Sequence, residues 1–470
     1  MTDADPARRR STAIAMRSLA HWAADPASRV LPEAIRSRAA LILMDDLGAM
    51  VAGFGEPQLR AATAQFVRGA GIAEASVFAP GTPRLDRASA AAANGMAAAW
   101  CELDEGFRDA PCHAGAYILP ALLAEAEAGG ATTAEMLSAL ALAYEITVRL
   151  ALAFPFPAMT VHPHAAFAPI GAAAGIGLLR RQDGDTLLGA IAGAASMAFA
   201  GPFQHAMDGA LVRNAWTSAG AWIGIKAADW AEIGIAGLPE TAFDVFAVSF
   251  ATGCRPEILT ADLGTSWAMQ AGYHKIFACC QYAHSTVEAS LALHARLRAA
   301  ENAAQNPAAI EEIVVHTHPR AMALTAVEPA SVLAAKFSIP HAAAASAVFG
   351  TGSARAFSAD AMEDPAVAAL RRKVRLAPFT PLTAPPHDRP ARVEWRFADG
   401  TTWSETCLTA QGGADRPFET AALDAKFAEI AAPVFPAMQP VLHAIRAGER
   451  SAMARPWAKA VAMMTQGARA

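Results

Sequence analysis

The sequence predicts a mainly α protein, a large discontinuous helical domain carrying a smaller inserted α+β domain. Three observations lead there. Alanine-rich apolar runs at helical spacing fill the chain from Ala13 to about Leu263, β-type runs begin only after Trp267, and helical spacing returns from about Phe418. At 470 residues the chain exceeds one ordinary core. The expected division is residues 1–267 with 412–470 as the helical domain, and 268–411 as the insertion.

The helices are expected over Pro32–Gly53, Ala88–Trp100, Ala116–Ala128, Thr133–Phe154, Ala165–Leu179 and Asp185–Ala198. Apolar residues fall on several faces of each, which is the pattern of central helices in a large bundle. Pro202, Gly209 and Pro239 punctuate this stretch. In the insertion, Thr286–Leu297 reads as a helix, residues 310–318 as a strand, and Pro340–Phe349 as a second helix. Ala391–Phe397 and Thr401–Leu408 alternate around the turn signal Asp399-Gly400 and predict a hairpin. Prolines at 378, 381, 385, 386 and 390 mark a loop before it.

Composition excludes several functions. Only 17% of residues are charged and 54% are hydrophobic, with a mean hydropathy of +0.25, but much of that is alanine, which favours close helix packing. The longest uncharged run, from Leu187 past Phe203, is broken by Gly189, Gly193, Gly201 and Pro202, so a membrane span is not expected. Met1–Leu19 mixes Asp3, Asp5 and Arg8–Arg10 and has no continuous apolar core, so no signal peptide is expected. Six cysteines without framework spacing point to a reduced, cytoplasmic setting. A net charge of −5 gives no electrostatic footprint for nucleic acid.

Chemistry concentrates in five places. The first is Cys101–Arg108 with Asp109 and Cys112-His113, where four carboxylates, Arg108 and His113 fall within a dozen residues between apolar helices. Buried charge there must be paired, and such clusters suit proton transfer. Glu102 and Asp104 converge on one ligand if the segment is a loop and diverge if it is a helix; a solvated helix end is the plainer alternative. The second is His162-Pro163-His164, where one imidazole at a helix entrance is an acid/base candidate, and no further ligands suggest a metal. The third is Tyr273–His284. Lys275, one of six lysines against thirty-two arginines, sits there in an apolar run and suits a carboxylate, with His284 following. A snorkelling lysine and inert cysteines at 279 and 280 are the alternatives. The fourth is Asp208–Asn214, where Arg213 offers a bidentate carboxylate contact or an internal salt bridge. The fifth is Lys336–His341, where His341 either faces an interdomain cleft or is a solvated first-turn residue. No nucleotide fingerprint or nucleophile elbow appears.

Taken in order, these segments resemble the MmgE/PrpD family of 2-methylcitrate dehydratases, cis-aconitate decarboxylases and related enzymes. The likeness runs from Leu41–Gly48 through the acidic loop with His113, the His162-Pro163 entry to Gly171–Ala174, Lys275…Cys279-Cys280…His284, Lys336–Pro340 and the Asp399-Gly400 hairpin. It implies a helical domain with an α+β lid, a homodimer, no metal or other cofactor, and a small di- or tricarboxylate as substrate. It places catalytic positions on Glu102, Asp104, His113 and His162, and lid positions on Lys275 and His284. Two departures stand out. Decarboxylase-like members carry a Lys-His pair where this chain has Gly209–Arg213, so Arg213 would supply the charge from a shifted position, and the family's lid tyrosine falls on His341. Both count against cis-aconitate decarboxylation.

The expected activity is therefore a cofactor-independent lyase of the dehydratase type. His113 or His162 would remove a proton alpha to a carboxylate, and Asp104 or Glu102 would steer or protonate the departing hydroxyl. Lys275, Arg213, His284, His341 and Arg108 would bind substrate. An epimerase, an isomerase or decarboxylase of a related acid, and a catalytically silent carboxylate-binding or scaffold protein are the alternatives.

Overall fold

A computed structural model describes residues 5–299 and 306–469. Parts of the N- and C-terminal stretches read above, residues 1–4 and 470, lie outside the described residues.

The N-terminal part is helical: α1 (Pro6–Ala24), α2 (Glu33–Gly53), α3 (Pro57–Gly69), α4 (Arg87–Ala98), α5 (Ala114–Gly129), α6 (Thr133–Ala153), α7 (Pro163–Leu179), α8 (Gly184–Ser196), the single turn α9 (Gln204–Met207) and α10 (Ala215–Ala231). Local signals set their ends. Asp5 caps α1 by accepting from the amides of Ala7 and Arg8, and α6 opens with a reciprocal Thr132–Glu135 capping box. α7 is buried on every side up to Leu178, packed among α5, α6, α8 and α10. Its alanines and glycines leave neighbouring backbones close, so the apolar composition produces a helix core. Among the described residues one helix, α6, is long and apolar enough to cross a membrane, and it is almost wholly buried inside the fold.

Regular helix ends earlier than expected. After Ala231 the chain runs through a π-helical turn (Phe243–Ser249) and short 3-10 turns to Ala271. Gly234, Gly237, Pro239, Gly253 and Pro256 interrupt the apolar pattern there and stop an α-helix from propagating.

The second part contains α11 (His284–Ala299), α12 (Val332–Lys336), α13 (Ile339–Phe349), α14 (Ala359–Glu363) and α15 (Pro365–Arg371) with a four-stranded sheet. Two strands elsewhere form a short antiparallel ribbon, β1 (Gly106–Phe107) with β2 (Gly272–Tyr273). The sheet contains β3 (Ile310–Thr317), β4 (Val374–Pro378), β5 (Ala391–Phe397) and β6 (Thr402–Cys407), in the order β4-β3-β5-β6. β3 pairs parallel with β4 and antiparallel with β5, and β5–β6 is the hairpin expected at Asp399-Gly400, with Gly400 at φ 84°. β4 was not legible in the sequence. It is a half-exposed edge strand with no buried side chain. α11 packs on β5 and β6 and on α13, burying Trp395 completely.

The chain closes with α16 (Thr420–Ala431), α17 (Met438–Arg446), α18 (Arg450–Met453) and α19 (Trp457–Met464). α16 and α17 pack on α2, and α19 packs on α5. Lys426 of α16 reaches from there to Asp45 of α2 and to the carbonyl of Leu103, both at 2.7 Å, tying the C-terminal helices to the acidic loop.

Candidate active site

The acidic segment between α4 and α5 is a loop, so Glu102 and Asp104 can converge. Glu102 has φ 55°, a left-handed conformation that non-glycine residues adopt only when contacts hold them there. Those contacts are ionic. Arg213, in the 3-10 turn Leu211–Asn214 before α10, donates Nη2 to Glu102 Oε1, and Lys275 Nζ lies 3.3 Å from Glu102 Oε2 and 3.6 Å from Asp104 Oδ1. All four side chains are buried. Two cations and two carboxylates thus form a closed, neutral set.

Burial by itself pushes both carboxyl groups up. Arg213 and then Lys275 outweigh it at Glu102 and hold it at about 2, while Lys275 and His113 hold Asp104 well below the usual carboxylate range. Both are therefore ionised at neutral pH. In that state they suit the steering role expected of them rather than protonation of a departing hydroxyl.

Asp104 also faces His113, the residue before α5. His113 Nδ1 lies 2.8 Å from Asp104 Oδ2 and 2.9 Å from the carbonyl of Glu105. With Nδ1 assigned as the donor to the Glu105 carbonyl, and both Asp104 oxygens buried without a hydrogen-bond partner, Nε2 is the nitrogen left to meet a ligand. Glu105 sits behind the loop, its carboxylate accepting from Gly115 N at 2.7 Å and Tyr144 Oη at 2.8 Å. Burial raises it to about 7. Asp46 accepts from Glu105 N at 3.0 Å and is raised well above its ordinary value, by burial and then by Glu105.

His162 caps α7. Its Nδ1 faces the His164 amide at 3.2 Å and its Nε2 faces Arg213 Nε at 3.3 Å. A neutral imidazole has one lone pair, so both ring nitrogens are opposed to donors and only one can be satisfied. Burial, then Arg213, keeps its pKa well below the ordinary value, and the ring is neutral. His164 stands between His162 and His113, at ring separations of 4.5 and 5.0 Å, and meets Tyr117 Oη at 2.9 Å through Nδ1.

A small cavity of about 40 Å³ opens on this cluster. Glu102, His113, His162 and Arg213 line it, with Phe107, Pro111, Phe203, Phe337, Tyr273, Gln281, Tyr282 and Arg389 among its other walls. Lys275 and Asp104 stand directly behind. Cys280 also reaches the cavity, but burial pushes its thiol up to about 12, far from a reactive thiolate. The other cysteines are likewise free thiols.

Three expected substrate contacts are placed differently. His284 bonds the carbonyl of Cys279 through Nε2 at 3.2 Å, lies edge-on to Phe277, and is lowered to about 3 by burial and then Lys275. His341 does not face the cavity. Its Nε2 meets the carbonyl of Ala356 at 2.9 Å and its Nδ1 meets Arg371 at 3.1 Å, within the packing of α13 and α15. A buried carbonyl fifteen residues away claimed the ring. Arg108 is outside as well, paired with Asp388 and donating to the carbonyl of Pro386 at 2.6 Å.

Arg389 was not singled out from the sequence, and Tyr273 and His164 were named there only as members of their segments, with no role of their own in the expected chemistry. Arg389 lies in the proline-rich loop, where an arginine reads as solvated, and only the fold reveals its burial. Among the described residues no group of three or more His, Cys, Asp or Glu side chains is arranged to hold a metal ion.

Comparison with known families gives two matches. The model of the MmgE/PrpD N-terminal domain matches residues 17–252, and that of the MmgE/PrpD C-terminal domain matches residues 277–446. No curated protein matches the chain.

Proposed function

Because the chain belongs to the MmgE/PrpD family, whose members are typically hydro-lyases, we propose that it is a cofactor-independent dehydratase of a small hydroxy acid, or the hydratase of the matching unsaturated acid. The observation that carries this reading is the Asp104–His113 pair, with Nδ1 2.8 Å from the carboxylate and the ring on the cavity wall.

His113 takes the proton alpha to the substrate carboxylate on Nε2. Asp104, fixed by Lys275, stabilises the resulting imidazolium. The electron pair left on carbon forms the double bond as the C–O bond at the neighbouring carbon breaks. The leaving hydroxide takes the proton back from Nε2 and departs as water. Atoms and charge balance with one histidine. This reading assigns the proton to His113 in both directions, on its pairing with Asp104 and its position on the cavity wall. The same residue serving as base and acid implies that hydrogen and hydroxyl leave from one face.

The remaining lid, dimer and cytoplasmic features belong to this reading as well. The sheet and α11–α15 act as the lid, bringing Phe337, Tyr282 and Arg389 against the helical cluster, and the working unit is a homodimer in the cytoplasm. An epimerase differs only in needing a second proton carrier on the opposite face of the substrate, and His162, which also lines the cavity, is the observation that favours it.

Proton NMR in D2O with a panel of hydroxy and unsaturated acids, 2-methylcitrate and cis-aconitate included, tests the proposal. A new vinyl signal, or loss of one by hydration, is the expected result. Deuterium entry without elimination supports the epimerase, and neither change overturns both.

A further inference from the structure

A second cleft, of about 400 Å³, lies between the N-terminal helices and the second part of the chain, and it shares no lining residue with the catalytic cavity. Trp100 and Asn214 line it from one side, and Lys336 and Ala359 from the other. Lys336, the last residue of α12, is buried at 3% exposure. Its Nζ donates to the carbonyl of Trp100 at 3.0 Å, which uses one of its three N–H bonds. Among the described residues no carboxylate pairs with Lys336 within 4.0 Å, and Glu56, the one acidic residue on the cleft wall, is no exception. A buried ammonium without a counter-ion is costly.

Asn214 supplies a second, independent vacancy. It is fully buried, and its Oδ1 accepts from Arg213 Nη1 at 3.0 Å. A guanidinium only donates, so this bond fixes which way the amide is turned. That leaves Nδ2, which is buried with no hydrogen-bond partner. A cation short of an anion and an amide short of an acceptor therefore line one cleft. It lies behind the catalytic cavity: Arg213 and Phe337 line the cavity, and their chain neighbours Asn214 and Lys336 line the cleft.

We infer that this cleft binds a small oxyanion, a carboxylate or a phosphate, whose oxygens accept from Lys336 Nζ and Asn214 Nδ2. The site is separate from the catalytic one, and the inference does not rest on the dehydratase reading. An anion held there joins α12 to the turn that carries Arg213.

Calorimetric titration of the full chain with inorganic phosphate and with acetate, at constant ionic strength, tests it. Saturable binding of at least one is expected, with a Kd on the order of 1 mM from a few charge-assisted contacts, and the tighter ligand identifies the source of the oxyanion. Lys336→Met should weaken binding at least roughly tenfold. Ala359→Glu adds a negative charge at an exposed first-turn position of α14, where a carboxylate suits the helix, and should weaken binding by roughly threefold or more. This second variant leaves the interior untouched and decides the matter if Lys336→Met does not fold. His113→Ala, in the other cavity, should keep the affinity within about twofold. No saturable binding of either anion below about 20 mM, unchanged affinity in either cleft variant, or binding lost in His113→Ala overturns the inference.

Discussion

Replacing Lys275 by methionine probes the charge set most directly. Lys275 is fully buried, with Nζ 3.3 Å from Glu102 and 3.6 Å from Asp104. At an effective dielectric of about 20, each contact contributes roughly 5 kcal/mol of attraction, most of which offsets the desolvation of the ions. Removing the cation leaves two buried carboxylates with Arg213 against Glu102 and His113 against Asp104. Breaking a buried set in this way costs about 3–5 kcal/mol, or a fall in melting temperature on the order of 5 °C for so long a chain. The pH dependence is the sharper reading. In the unaltered protein both carboxyl groups lie below their unfolded values, so their contribution is present above about pH 4.5 and is lost as pH falls toward about 2. Without Lys275, burial dominates at Asp104 and raises it above its unfolded value. Such an acid stabilises the fold at low pH and loses that stabilisation as pH rises through the folded value. The deficit of Lys275→Met should therefore shrink between about pH 8 and pH 5.5, and adding Asp104→Asn should recover at least about half of it at pH 8. Melting curves at both pH values decide. A deficit that is absent, pH-independent or larger in acid would refute the account of the site as a matched ionic set.

Three further outcomes follow from the same geometry. His113→Ala should lower turnover by roughly 10³-fold with little change in melting temperature; equal loss of both in an assay and a melt would make His113 structural. Gly115→Ala would place a methyl 1.9 Å from Asp46 Oδ2 and 2.9 Å from Ile42, and should destabilise by about 1–3 kcal/mol, so a variant melting like the parent contradicts the packing. Glu105 is raised by burial from 4.5 to about 7, so the folded state holds its proton longer and stability declines as pH rises through that window. Glu105→Gln should remove up to about 3 kcal/mol of that slope, measured as the difference in melting between pH 5 and pH 8.

How much of this the sequence disclosed depended on distance along the chain. Helix positions were legible because apolar spacing and caps such as Thr132–Glu135 are local. The acidic loop was legible because carboxylates among alanines need a reason to be there. What Lys275 and Arg213 do was not, since their carboxylate partner Glu102 lies 173 and 111 residues away. β4 escaped because an edge strand with no buried residue has no alternation to read. His341 and His284 misled because an imidazole near a helix start looks the same whether it meets a ligand or a buried carbonyl. Arg389 escaped because its burial comes from Tyr282 and Gln281, brought over it by the fold.

The β1–β2 ribbon has a practical consequence for recombining this protein with its relatives. Gly106 pairs with Tyr273, two residues before Lys275, and a side chain at 106 would strike the Tyr273 ring and hydroxyl. Lys275 itself falls in the stretch between the two matched family segments. A graft that swaps everything after residue 267 would import a foreign partner for the acidic loop together with the foreign sheet. A seam placed after residue 275 keeps loop, ribbon and lysine as one inherited cassette, so that hybrids differ in the walls around the ligand and not in the groups beneath it.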